Sequence, residues 1–287
     1  MVDQATSLRQ KLQGTSSQRK TKVISFVSGK GGVGKSNVAL NFSLELQKSG
    51  KSVLLIDLDI GMGNIEILQG VHAEKTIVDM FEEQLAFHEI VKKGTNNLPF
   101  ISGGTGLTGF FHLNEEKMNF FYEQFHHISR EYDYILFDLG ANVSEESIFF
   151  ILASDECVVV TTPEPTSITD AYSMVKQIIS RQLDMPIYVI LNRSYSFKYG
   201  LKTLERFKLA VKQFLLSDVH VLGQLPDEKF VSTSVRRQIP FTVLNKRAPI
   251  SRAIGQIVLN YMSNESLESS EESFSFIKRL KKMIRER

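Results

Sequence analysis

The residues best spaced for chemistry are Gly29-Lys30-Gly31-Gly32-Val33-Gly34-Lys35-Ser36, which fit the pattern G-x-x-x-x-G-K-[ST] between an apolar run and a helical one. Glycines let the backbone turn sharply, so successive N–H groups converge on phosphate oxygens. The start of the next helix adds the positive end of its dipole. The pattern places Lys35 on the β- and γ-phosphates and the Ser36 hydroxyl on Mg²⁺, and makes Gly29 through Asn37 a candidate ATP/ADP-binding segment. Lys30 is not required by this pattern, so a second cation in the loop calls for its own explanation.

Carboxylates follow at two later points. Asp57 and Asp59 close the apolar run Val53–Ile56, with Asn64 just beyond, and Asp138 closes Tyr134–Phe137. Polar groups at the tips of buried parallel strands belong on the ligand side of an α/β sheet. An apolar run ending in Asp is the Walker B arrangement, whose carboxylate reaches Mg²⁺, usually through water. A fourth strand end, Leu191-Asn192-Arg193, lacks the N-K-x-D signature of guanine readers, and Leu225-Pro226-Asp227 follows the next strand.

The elements that must position these groups read as alternating short apolar strands and helices. The strands are Val23–Val27, Val53–Ile56, Tyr134–Phe137, Cys157–Thr161, Ile187–Leu191 and Val219–Leu222. Continuous apolar runs of this length suit parallel strands buried on both faces. The expected fold is therefore α/β, a doubly wound and mostly parallel sheet flanked by helices. The chain has 287 residues, 42% of them hydrophobic and 23% charged, enough for one large domain that needs no disulfide or metal staple. The single cysteine, Cys157, reads as a buried strand residue in a reducing compartment. The first 20 residues lack an apolar run of signal-peptide length, and no run suffices to span a bilayer, so a cytoplasmic protein is expected.

Net charge is only +2, but its distribution is uneven. Residues 263–273 carry four glutamates and no base, whereas 274–287 carry six Lys/Arg against one Glu. On a helical wheel Phe276, Ile277, Leu280, Met283 and Ile284 share an arc of roughly 120°. Lys278, Arg279, Lys281, Lys282 and Arg285 flank it. A basic amphipathic helix of this kind suits an anionic lipid surface, with a final helix packed on the core as the alternative. Nucleic acid is not an expected partner, because stacking aromatics are scarce among the bases.

The loop Lys30-Gly31-Gly32-Val33-Gly34-Lys35-Ser36 resembles the deviant Walker A ATPases of the MinD/ParA family, and the Asp57–Asn64 segment resembles their switch I. The resemblance covers about residues 22–262. It implies ATP-driven homodimerisation in which Lys30 crosses to the partner's nucleotide. It also implies that Asp59 activates the attacking water and contributes to the Mg²⁺ site, that Asp57 and Asn64 support the loop, and that Asn192 with Arg193, Pro226 and Asp227 encloses adenine. The family commonly carries a proline-bearing segment after its Walker B aspartate, and Asp138-Leu139-Gly140-Ala141 departs from it. Before the first strand, Asp3-Gln4-Ala5-Thr6-Ser7-Leu8-Arg9 is similar to the D-Q-A-x-x-L-R motif of the FlhG family (YlxH, FleN), MinD-like regulators of flagellar number and placement. That likeness implies that Asp3, Gln4, Ala5, Leu8 and Arg9 stimulate the GTPase FlhF, that the flagellar C-ring proteins FliM and FliN or FliY are partners, and that the protein is reversibly peripheral on the inner face of the membrane. A MinD-type division-site regulator and a ParA-type DNA-partition ATPase are the alternatives. The expected organisation is an N-terminal extension (1–21), the ATPase domain (22–262), an acidic linker (263–273) and a membrane-targeting helix (274–287).

Overall fold

The computed structural model describes residues 21–60, 63–104, 114–141, 145–182, 184–268 and 276–285. The motif at residues 3–9, the later part of the acidic segment (269–273) and the side chains of Ile277 and Ile284 lie outside the described residues. In chain order the elements are β1 (Lys22–Val27), α1 (Lys35–Lys48), β2 (Val53–Leu58), α2 (Ile65–Gln69), α3 (Ile77–Glu83), α4 (Phe87–Ile90), β3 (Lys92–Lys93), β4 (Pro99–Ile101), α5 (Glu115–Ile128), β5 (Tyr134–Leu139), α6 (Glu145–Ala153), β6 (Glu156–Thr161), α7 (Pro165–Ile179), β7 (Ile187–Ser194), α8 (Phe197–Leu215), β8 (His220–Pro226), α9 (Lys229–Arg236), α10 (Phe241–Leu244), α11 (Pro249–Glu268) and α12 (Phe276–Arg285).

The strands form one sheet in the order β3-β4-β2-β5-β1-β6-β7-β8, parallel throughout except for β3 against β4. Because side chains alternate across a strand, each strand feeds two cores. Val23, Leu54, Ile56, Ile135, Phe137 and Val159 pack toward α5, α6, α7 and α8. Ile24, Phe26, Leu55, Leu136, Val158 and Val160 pack toward α1 and α11 on the opposite face. This two-sided burial is why the runs read as continuous apolar strands. The short pair β3 and β4 escapes sequence reading, since two lysines and three residues carry no periodic signal.

Strand ends and helix ends differ from expectation in ways that bear on the site. β2 and β5 each run two residues beyond their expected ends, so Asp57 and Asp138 sit inside the strands, in register with one another. The polar stretch expected as a linker from residue 263 is helical through Glu268 as the end of α11, consistent with the good helix propensity of Leu and Glu.

The terminal helix α12 packs on the domain. Phe276 and Leu280 are buried at 2% and 0% exposure. The Phe276 ring lies 4.4 Å from Phe125 and 5.5 Å from Phe137, centroid to centroid. Arg279 donates from Nε to the Ala153 carbonyl at 2.9 Å and from Nη2 to Asp155 at 2.5 Å, while the Lys281 ammonium stands 5.3 Å from the Tyr122 ring centroid. The physical reason lies in α6. Ile148 through Ala153 are all buried, so that helix is apolar all round and needs cover on both sides. Packing of the last helix on the core thus applies to this state, and Lys278, Lys281 and Lys282 project from the docked helix.

Candidate functional site

At the carboxyl ends of the parallel strands the loop after β1 opens a cavity of about 950 Å³. Residues from Gly31 to Asn37 line it together with Asn64, Ala141, Asn192, Arg193, Pro226 and Asp227. Sequence-distant segments thereby meet where a doubly wound sheet reverses its winding, the place where such folds bind ligands. Gly29, Lys30, Asp57, Asp59 and Asp138 flank the cavity rather than line it.

The helix after the loop is built to hold an anion. Its N-cap is Gly34 at φ 89°, with no side-chain cap and no acidic residue in its first turn. The first N–H groups of α1 therefore lack intrahelical partners at the positive end of its dipole. Lys35 follows at 6% exposure and pairs with the fully buried Asp138, and its ammonium also lies 3.4 Å from the Ser36 hydroxyl. The second Asp138 oxygen, Oδ2, is buried with no hydrogen-bond partner among the described residues, as is the hydroxyl of Thr162 on the cavity wall. The orphaned carboxylate oxygen and the serine hydroxyl, both on residues that the Lys35 ammonium contacts, are oxygen ligands of the sort a hard divalent cation takes.

Asp57 organises the adjoining loop. Its carboxylate accepts the N–H groups of Asp59 and Asn64 at 3.0 Å and of Ile65 at 3.2 Å. Burial, reinforced by the negative charge of Asp138, pushes its pKa up to about 7 against the opposing pull of those N–H donors and of Lys35. Asp59 is also raised, chiefly by burial, with Lys35 pulling the other way. Its carboxylate lies against the segment after β5: a Cβ added to Gly140 would come 3.1 Å from Asp59 Oδ1. The departure at Gly140 thus leaves room for Asp59. Lys30 occupies the open rim and donates to Glu164 at 3.4 Å and to Thr166 at 3.1 Å.

The Asn192 side chain lines the cavity and faces the phosphate loop. Its Nδ2 donates to the Val33 carbonyl at 2.8 Å, and its Oδ1 accepts the Arg193 N–H at 2.9 Å. Sequence reasoning missed the turn Thr162-Pro163-Glu164, although its place after β6 puts it on the ligand side. It also missed Tyr195 and the apolar wall of Val231, Val235, Phe241 and Ile250. Those side chains carry no chemistry that spacing could reveal, and only the i, i+4 pair Val231 and Val235 on α9 hinted at a shared face.

Residues 21–186 match the family model of the AAA domain. The flagellum site-determining protein YlxH of Helicobacter pylori is 34% identical over 273 residues, covering 92% of this chain and 91% of its own length. The antiactivator FleN of Pseudomonas aeruginosa is 29% identical over 223 residues, covering 77% of this chain and 79% of its own length. The cell division ATPase MinD of Pyrococcus furiosus shares the fold with a TM-score of 0.71 at 21% identity, covering 85% of this chain and 99% of that structure. Family model and relatives together place it: the chain belongs to the AAA domain family and, within it, to the FlhG (YlxH/FleN) group of MinD/ParA P-loop ATPases.

Proposed function

We propose that the protein is an ATP-switched dimer that joins a membrane surface and regulates flagellar number and placement. The observation that carries this reading is the different standing of its two loop lysines. Lys35 is buried and paired with Asp138, whereas the Lys30 side chain is 42% exposed and tied to a half-exposed Glu164. An exposed pair of this kind contributes about 0–1 kcal/mol, so little holds Lys30 back from the triphosphate of a facing subunit. There it would offset charge that otherwise drives two nucleotide-bearing faces apart.

Triphosphate over the N-terminus of α1 draws Lys35 away from Asp138. Ser36, Asp138 and Asp59 would hold Mg²⁺, which would supply charge neutralisation on the phosphates. Asp59 orients the attacking water while Asp57 and Asn64 fix its loop. Asn192, Arg193, Pro226 and Asp227 enclose the adenine.

Phe276 and Leu280 cannot serve the core and a bilayer together. Undocking α12 forfeits about 1.5–3 kcal/mol for each, which membrane insertion returns. The balance then rests on the Arg279–Asp155 pair, on attraction of Lys278, Lys281 and Lys282 to anionic headgroups at about 1 kcal/mol each, and on the second tail that a dimer supplies. No helix among the described residues is long and apolar enough to cross a membrane, which fits peripheral attachment at the inner face. The motif at residues 3–9 is assigned to stimulation of FlhF, and FliM and FliN or FliY are assigned as C-ring partners, on the likeness to FlhG proteins.

Light scattering with Mg²⁺ and a non-hydrolysable ATP analogue, with and without anionic liposomes, tests the switch. A nucleotide-dependent dimer that co-sediments with liposomes supports it. A monomer at saturating analogue overturns it, and a dimer that sediments with DNA but not with liposomes moves the protein to the DNA-partition reading. Removing residues 1–20 should spare the dimer and abolish stimulation of FlhF; persisting stimulation places that activity elsewhere.

A further inference from the structure

We propose that Asn192 is a positioning residue for the phosphate loop, setting its conformation for triphosphate before any base is bound. This goes beyond base recognition and rests on the reading of the cavity as an ATP site. The strand geometry serves this contact. The pairing of β7 with β8 shifts register twice, between Val189 and Ile190 and again between Leu191 and Ser194, the second shift enclosing Asn192 and Arg193. Within that bulge Arg193 adopts φ 54°, a left-handed conformation that a non-glycine residue holds only when its surroundings enforce it. The bulge re-aims the Asn192 side chain, as bulges beside functional sites do. The result is the bond from Nδ2 to the Val33 carbonyl across 159 positions of sequence, made by a side chain only 8% exposed.

Planarity of the peptide turns that bond into control of the loop. The Val33 carbonyl and the Gly34 N–H belong to one trans peptide and point in opposite directions. Holding the carbonyl with Asn192 therefore fixes where the Gly34 N–H points, at the residue that caps α1. Released, the same peptide could rotate and present a lone pair toward incoming phosphate. Gly34 is adapted to this arrangement twice over: its φ of 89° is left-handed, and a Cβ there would stand 2.5 Å from Asn192 Nδ2. The amide spends one N–H on Val33 and one lone pair on Arg193, which leaves one N–H and one lone pair for a base. One side chain thus serves both ends of the nucleotide.

Displacement of a fluorescent ADP analogue by ATP, GTP and inorganic tripolyphosphate separates positioning from base reading. Asn192→Ala should weaken tripolyphosphate roughly 5- to 30-fold, the loss of about one buried hydrogen bond, and ATP by at least as much, since its base contact is lost as well. Calorimetric stoichiometry should stay at one ligand per chain, which a merely unfolding variant would not preserve. Backbone amides of Gly34 to Asn37 should also exchange hydrogen faster in the nucleotide-free variant. Where alanine fails to melt cooperatively, Asn192→Ser, too short to reach Val33, carries the same expectation. Unchanged tripolyphosphate affinity with weakened ATP binding would overturn the proposal, as would wild-type protein that tripolyphosphate does not displace. Wild-type protein that binds no ATP would instead defeat the nucleotide reading beneath it.

Discussion

Separating Lys35 from Asp138 should show what holds the nucleotide site together before ligand arrives. The lysine side chain is 6% exposed and the aspartate 0%, so neither can fall back on water. Removing one member of a buried pair costs about 3–5 kcal/mol, whereas replacing both by well-packed apolar groups is often neutral. The two single substitutions are not equivalent here. Asp138→Asn leaves Lys35 near Asp57, the in-register carboxylate of the neighbouring strand, which loses the repulsion of Asp138 and can ionise as the new counter-ion. That variant should lose only about 2 kcal/mol. Lys35→Met leaves two buried carboxylates without their cation and should lose the full ~3–5 kcal/mol at about pH 8, and less at about pH 5.5, where Asp57 takes up a proton. The double variant Lys35→Met/Asp138→Asn, which removes both charges, should lose well under the sum of the two single losses, a strong departure from additivity. Urea titrations followed by circular dichroism, without nucleotide and with chelator, measure all four states. Additive losses, or single losses below about 1 kcal/mol, would refute the argument that this pair governs the empty site.

Asp57 gives the nucleotide-free protein a pH signature. Its folded pKa of about 7 lies above the ordinary 3.8, so the folded state holds a proton that the unfolded chain has released. Stability from this group is present below about pH 4, declines as pH rises toward 7 by an amount on the order of 4 kcal/mol, and levels off above. Asp57→Asn should flatten that decline in thermal melts across the range, and an unaltered profile would assign it to other groups. Asp155→Asn keeps an acceptor for the Val23 N–H, 2.8 Å away, but removes the charge that holds Arg279. It should raise nucleotide-free liposome binding about fivefold, the equivalent of about 1 kcal/mol; no rise would show that the pair does not hold α12 down. Lys30→Ala should leave ATP affinity within about threefold yet abolish the nucleotide-dependent dimer in light scattering, since only an exposed pair is lost on the monomer. A variant that still dimerises removes Lys30 from the interface.

The phosphate loop, the strand-end aspartates and the order of strands and helices were legible because each is set by local pattern. Gly29 to Ser36 needs only its own backbone and the adjoining helix to face an anion, and a strand buried on both faces writes itself as an unbroken apolar run. Such features depend on residues near one another in the chain. What tertiary structure alone decided depends on segments far apart. Phe276 and Leu280 had an apolar arc that a membrane or the core could accept with comparable gain, and only the all-round apolar α6, with the Phe125 and Phe137 rings beside it, settled the docked position. Asn192 carried the right chemistry for a base, but its hold on Val33 exists only because a bulge late in β7 stands over a loop following β1. Spacing fixes which groups a segment offers; packing between distant segments fixes which partner they meet, because the free energy of burial depends on what lies opposite.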